Sequence, residues 1–211
     1  LFLASGALDS YGEYRMTNEE FVVHANPHSW FLVADDLHAQ AVKLRQAFGS
    51  GSITRTDFSS KDRYTRDNTN RSTFLLASFA LENAIKAFLV YENPSWISNG
   101  TLSKNLRSHK LTNLASKSRH IPYKESSFGI LGEFEQGNES WARYPCALSK
   151  NVTKDPSIFS DELWGQYEWI MAAYGEHLAL LLAEDWLGPH GFESSYFIEG
   201  SWFGTVVKKS A

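Results

Sequence analysis

The segment 72–92 constrains the fold most, because it carries a long apolar stripe with helical spacing. Alternating steps of four and three residues separate Phe74, Ser78, Leu81, Ile85, Phe88 and Glu92. Such steps place side chains on one face of an α-helix. Asn93-Pro94 follows, and a proline at this point favours the end of a helix. We therefore predict a long, largely buried helix over 72–92.

Four further segments have helical character, and the architecture follows from their number. The expected N-caps of the first and last helices are Ser29 and Ser160, because a short hydroxyl side chain accepts a hydrogen bond from the first turn. Gly49 is the expected stop of the first helix. Short connections between helices favour an all-α, up-and-down bundle of about five helices. The predicted helices are 29–48, 72–92, a short one capped by Ser108, 124–141 and 160–186.

The segments outside these helices divide the chain into three parts. Residues 1–28 read as an extended or partly ordered arm, 29–190 as the helical domain, and 191–211 as a short irregular or β-like tail. The polar segment 49–71 is harder to place, because a structureless loop of this length is uncommon inside a compact domain. It is either a mobile lid or a short element that the pattern does not reveal.

Composition excludes several classes of protein and site. The 211 residues carry a net charge of −4 and a single cysteine, Cys146. One cysteine cannot form an intramolecular disulfide, which favours a reducing compartment, most simply the cytoplasm. The run 178–183 is too short to cross a bilayer, so we expect no membrane association. Pro27 separates His24 from His28, and glycine-rich phosphate loops are missing, so we expect neither a metal nor a cofactor.

A positive run between residues 103 and 124 is the first candidate for binding. No acidic residue interrupts it, although the whole chain is acidic. Such a run attracts phosphate groups, or it is a solvated surface of an ordinary helix. Its basic members are Lys104, Arg107, His109, Lys110, Lys117, Arg119, His120 and Lys124.

Arg143 is the second candidate, because aromatic residues flank it and Pro145 stiffens the turn. It could hold a phosphate or carboxylate while the Tyr144 ring stacks on a base. Equally, it could form a buried ion pair with Glu82, since a carboxylate on an apolar helix needs a partner. We expect Lys86 to extend from the helix edge towards water.

His109 has two interpretations. It could donate to a phosphate or act as an acid or base near neutral pH. Alternatively it caps its helix or packs against a neighbouring one.

Three motifs in this order resemble the HEPN superfamily (higher eukaryotes and prokaryotes nucleotide-binding domain). They are LENAIKAFL at 81–89, HKLTNLA at 109–115 and RYP at 143–145. The resemblance spans about residues 29–186. It implies a compact helical bundle, usually dimeric, that binds nucleotides or RNA or acts as a metal-independent ribonuclease in toxin–antitoxin or antiviral systems.

One departure from that family bears on activity. Catalytic members carry an arginine followed four to six residues later by a histidine, and none of the nine arginines here has one. The leading hypothesis is therefore a homodimeric binding module with a cleft lined by Arg107, His109, Lys110, Arg143 and Tyr144. The alternatives are a divergent ribonuclease whose arginine and histidine meet in space, or an antitoxin-like interaction scaffold.

Overall fold

Helices dominate the computed structural model, which describes residues 7–8, 14–47, 52–67, 70–147, 149–153, 159–203 and 205–206. The prediction of an all-α bundle is confirmed, with only short antiparallel strand pairs added to it. The helices are α1 Asn18–Ala25, α2 Pro27–Gln46, α3 Asn70–Glu92, α4 Leu111–Lys117, α5 Lys124–Gly137 and α6 Asp161–Ala183.

Helix α3 forms the centre of the bundle. Most of its side chains from Phe74 to Val90 are buried, and α2 packs along it. It begins two residues before the predicted start and ends at the predicted residue. Helix α3 is also long and apolar enough to cross a membrane, but 78% of that stretch is buried inside the protein. A helix that is apolar all round is typical of a core position, so burial in the bundle accounts for its composition.

The start of the bundle differs from the predicted single helix over 29–48. A short helix, α1, precedes it, with Thr17 as its N-cap. Helix α2 then begins at Pro27, whose fixed φ suits the first turn. The prediction of Ser29 as N-cap is wrong: the Asn26 side chain caps the helix and accepts the Ser29 N–H at 2.9 Å. Gly49 lies outside the described residues.

Of the two N-caps predicted for the later helices, one is confirmed and the other is wrong. Ser160 caps α6, as expected, and its hydroxyl accepts the Leu163 N–H at 3.2 Å. Ser108 does not cap α4, because Lys110 occupies the N-cap position without a side-chain bond. The Ser108 hydroxyl instead accepts the Lys110 N–H. Helix α5 continues into a π-helical turn, Asn138–Ala142.

The polar segment contains an antiparallel β-hairpin that the sequence pattern did not reveal. Strand β3 (Ser52–Thr56) pairs with β4 (Arg63–Asp67); the first strand pair, β1 (Ala7–Leu8) with β2 (Tyr14–Arg15), precedes α1. Asp57 shapes the hairpin turn by accepting the N–H groups of Ser59 and Ser60. Of the two alternatives for this segment, the undetected short element is the one observed. It escaped detection because its strands lack the alternation of apolar and polar residues that marks a half-buried strand.

The segment after α6 forms short β pairs within itself and packs on the bundle through aromatic contacts. Strands β5 (Trp186–Leu187) and β6 (Glu193–Ser194) pair, as do β7 (Ser201–Trp202) and β8 (Thr205–Val206). Phe203 is 1% exposed, and its N–H donates to Asp35 on α2 at 2.9 Å. A Cβ added at Gly175 on α6 would come within 2.7 Å of the Phe203 ring. The absence of a side chain at Gly175 thus makes the close approach of the tail possible.

One buried histidine belongs to this core and not to a site. His38 on α2 lies 2.8 Å from the Tyr167 hydroxyl, measured from Nδ1, and beside the Phe203 ring. Burial lowers the pKa of His38 to about 4. The imidazole is therefore neutral near pH 7 and functions as a packed, hydrogen-bonded core group.

Candidate functional site

The centre of the site is a buried ion pair on α3. The Lys86 ammonium donates to Glu82 Oε1 at 2.6 Å, and both residues are almost fully buried, at 5% and 6% exposed. Charges removed from water need such a partner. The Trp30 ring lies 5.4 Å from the ammonium and adds a cation–π contact. The prediction that Lys86 extends towards water is therefore wrong: its ammonium lies inside the bundle on a carboxylate.

His109 joins this pair from the loop before α4. Its Nδ1 lies 3.0 and 3.1 Å from the two carboxylate oxygens of Glu82, while most of its ring is exposed. An ionised carboxylate only accepts hydrogen bonds, so Nδ1 carries the hydrogen. Nε2, on the far edge of the ring, then remains for solvent or a ligand. The carboxylate thus sets both the orientation and the tautomer of His109.

Arg143 does not pair with Glu82, so that alternative is wrong. The reason is that Lys86 and His109 already occupy the Glu82 carboxylate. The guanidinium of Arg143 lies 5.6 Å from the centroid of the Phe79 ring, and the residue is exposed. Among the described residues, no carboxylate forms an ion pair with it.

A cleft of about 940 Å³ contains most of the predicted site residues. Its volume falls in the range of pockets that hold small ligands. Arg107 is not part of the cleft, because its guanidinium donates to the Leu102 carbonyl in its own loop at 3.0 and 3.2 Å. The predicted residues that line the cleft are His109, Lys110, Arg143 and Tyr144, and the others are Ser108, Glu135, Asn138, Glu139, Cys146, Ala147 and Val152.

One wall of the cleft is fixed by Arg71, which the sequence analysis did not single out. Arg71, at the start of α3, donates to the carbonyls of Trp141 and Tyr144 at 2.6 and 2.8 Å. The Trp141 ring is buried 4.7 Å from the Phe74 ring. Together these contacts hold the backbone on both sides of Arg143 while leaving its side chain exposed. Only the tertiary contact identifies Arg71, since nothing in its local sequence indicates such a role.

The π-helical turn supplies polar groups to the same wall. Asn138 donates its amide to the Ser78 hydroxyl, and its amide oxygen is buried without a hydrogen-bond partner among the described residues. A buried acceptor without a donor is costly. π-helical turns occur frequently at functional sites. In the sequence, Gly137 precedes two polar residues, but this signal is too weak to predict the π-helical turn.

Two cations, Lys110 and Arg143, and two carboxylates, Glu135 and Glu139, line the cleft, so an anion would bind through individual cations and not through an overall positive charge. One oxygen of Glu135 accepts the N–H and hydroxyl of Thr112. Lys110 and Glu139 approach to only 4.0 Å at the surface, where an ion pair contributes little. Arg143 therefore remains the cation best placed to bind an anion, with Lys110 and His109 beside it.

The positive run 103–124 does not form one continuous surface. His109 and Lys110 line the cleft, whereas Lys117, Arg119 and His120 line a separate pocket of about 430 Å³. Lys124 donates to two backbone carbonyls near its own loop. Most of the run is therefore ordinary surface, and only its first part contributes to the candidate site.

Comparisons with known proteins do not identify this arrangement. No protein-family model, curated protein or solved structure matches the chain. In the described part of the chain, no group of three or more His, Cys, Asp or Glu side chains is placed to hold a metal ion.

Proposed function

We propose that this chain is a HEPN-like cytoplasmic domain that binds a nucleotide or RNA in the cleft. The observation that carries the proposal is Arg143, which is exposed and without a carboxylate partner in the described structure, beside His109, Lys110 and Tyr144 in one cleft. As in the family that the sequence resembles, the domain would act as a homodimer, in a defence or toxin–antitoxin system. The three resembling motifs support this assignment.

The chemistry of these residues suits a phosphate joined to a base. A guanidinium forms two parallel hydrogen bonds with a phosphate, and such charge-assisted bonds are stronger than neutral ones. Lys110 adds a second positive charge at the same cleft. The exposed Tyr144 ring offers a surface on which any base can stack. A nucleotide provides both groups at once, whereas a simple inorganic anion would use only the cations.

Replacing Arg143 with alanine tests the proposal. We expect the affinity for a nucleotide or RNA to fall about tenfold to a hundredfold, because a charge-assisted bond is lost. The melting temperature should stay nearly constant, because the side chain is exposed and forms no ion pair with a described residue. Titration calorimetry with AMP, GMP and a short RNA measures the affinity, and thermal unfolding measures the stability.

Two further variants sharpen this test. Arg143→Lys keeps the charge but not the planar fork, so it should recover only part of the affinity. Arg119→Ala removes an exposed arginine of the second pocket and should bind as the unmodified protein does. If Arg143→Ala melts early and binds normally, Arg143 is structural and the proposal fails.

A specific observation favours a second function, a metal-independent ribonuclease. The Glu82 carboxylate orients His109 so that Nε2 can take or give a proton, and Arg143 lies at the same cleft. In such a reaction His109 Nε2 removes the proton of a ribose 2′-hydroxyl, whose oxygen attacks the neighbouring phosphorus. The bond to the 5′-oxygen breaks, the departing oxygen takes a proton from solvent water, and a 2′,3′-cyclic phosphate remains. Arg143 stabilises the charge on the phosphoryl oxygens during this step.

A cleavage assay distinguishes the two functions. The ribonuclease hypothesis expects the purified protein to cut RNA in the presence of EDTA. His109→Ala should then lower the rate about a hundredfold, within the usual range for loss of an acid–base group. If the protein binds the RNA but the RNA stays intact, the ribonuclease hypothesis is excluded and the binding function stands.

A further inference from the structure

The part of the β3–β4 hairpin whose side chains are described, residues 54–65, is largely exposed to solvent. Between residues 54 and 65 every side chain is exposed except Asp57, which is half-buried. The bonds described there are the strand pairing, the Asp57 turn, a contact of 3.0 Å between the Thr54 and Thr65 hydroxyls, and an exposed ion pair of 3.6 Å between Arg55 and Asp57, which contributes little at the surface. An isolated two-stranded hairpin is marginally stable in water. A partner that covers its surface would therefore stabilise it.

The exposed side chains of the hairpin combine aromatic rings with positive charges. Phe58 in the turn is 94% exposed, and Tyr64 is exposed directly opposite Arg55 in the strand register. The segment 52–67 contains four basic and three acidic residues, although the whole chain has a net charge of −4. One of those acids, Asp57, is occupied by the turn. Exposed rings beside basic groups are the features that bind single-stranded nucleic acid.

The C-terminal end of the hairpin is close along the chain to Arg71, which holds the cleft wall. Strand β4 ends at Asp67, four residues before Arg71, so the two Cα atoms lie at most about 15 Å apart. Arg71 in turn donates to the Tyr144 carbonyl, on the cleft wall. A strand of five residues extends about 16 Å. The base of the hairpin is therefore near enough to Tyr144 for one extended RNA strand to contact both.

We propose that the hairpin is an arm that holds single-stranded RNA where the strand leaves the cleft. Phe58 and Tyr64 stack on bases, and Arg55 and Arg63 bind phosphates. This inference rests on the proposed function of the cleft and adds to it a longer ligand. Phe58, Tyr64 and the arginines match the bases and phosphates of single-stranded RNA.

The test compares a ligand that fills the cleft alone with one that also reaches the hairpin. The probes are GMP and a single-stranded RNA of about 20 nucleotides, and the variant is R55A/F58A/R63A. We expect the affinity for the RNA to fall at least tenfold, from the loss of one stacked base and two phosphate contacts. The affinity for GMP should not change. The logarithm of the RNA affinity should fall less steeply with the logarithm of the salt concentration, by a slope that corresponds to about two released counterions.

Matched controls and the remaining outcomes make the result decisive. K43A/F197A/K104A removes one exposed ring and two exposed basic groups outside the hairpin, and it should bind both probes normally. If the unmodified protein binds GMP and the hairpin variant binds RNA equally well, the arm is refuted while the cleft proposal stands. If the unmodified protein binds neither probe, both proposals fail. If the hairpin variant only dissociates a dimer, measured by light scattering, the arm contacts a second copy and the RNA role is refuted.

Discussion

Replacing Glu82 with leucine is expected to lower the free energy of unfolding by about 3–5 kcal/mol. The variant leaves the Lys86 ammonium buried without the carboxylate that it contacts at 2.6 Å. The Trp30 ring remains beside the ammonium but offers a much weaker attraction than a carboxylate. Urea denaturation followed by circular dichroism measures the change.

The double variant E82L/K86M separates the ion pair from the packing around it. Replacing both partners of a buried pair with apolar groups of similar size is often neutral or stabilising. We therefore expect E82L/K86M to recover most of the stability that E82L loses. If E82L alone costs less than about 1 kcal/mol, water reaches the ammonium and the pair is not buried in solution.

The single and double Glu82 variants also test how the ion pair supports the orientation of His109. His109 donates to Glu82, so E82L removes the acceptor that orients its ring. E82L/K86M restores the packing but not that acceptor. A difference in ligand binding or cleavage between this double variant and the unmodified protein would then report on His109 orientation and not on unfolding.

Replacing Phe203 with alanine is expected to destabilise the protein by about 3–5 kcal/mol, the usual cost of removing a buried phenylalanine ring. The ring is 1% exposed and lies among Phe31, His38 and Gly175. Its loss opens a cavity between the tail, α2 and α6, which the rigid neighbours cannot fill. Thermal and urea unfolding both report this change.

Phe197 provides the control within the same tail. It is 86% exposed, so F197A should change the free energy of unfolding by no more than about 0.5 kcal/mol. Equal effects of F203A and F197A would mean that the tail does not dock as described. A large effect of F203A alone makes the tail a structural part of the helical domain.

The helices that could be predicted are those whose apolar spacing and capping residues are close together in the sequence. The stripe of α6 (Leu163, Tyr167, Ile170, Tyr174, Leu178 and Leu181) is buried as its spacing predicts, and Ser160 caps the helix. Asn26 and Pro27 also form a local start signal, but the choice of Ser29 overlooked it. The β3–β4 hairpin has no comparable signal, because its exposed strands need no apolar row.

The candidate site could be predicted only in part. His109, Lys110, Arg143 and Tyr144 were expected to share a cleft, and the structure places all four at one. Arg107 was expected there too, but its guanidinium donates to the Leu102 carbonyl, five residues earlier, and it does not line the cleft. The partners of Glu82 and Arg143 were assigned wrongly or left open, since several cations in the sequence could have reached Glu82.

The amino-acid sequence by itself determined the periodic, apolar helices, because helical spacing and capping depend on residues within one or two turns of each other. The pair between Glu82 and Lys86 also has local spacing, because the two residues are one turn apart on α3. Only the tertiary structure decided which distant cation joins that pair. The packing of α3 against the loop before α4 brings His109 to the Glu82 carboxylate, whereas Arg143 stays exposed, and these distances are not contained in a linear sequence.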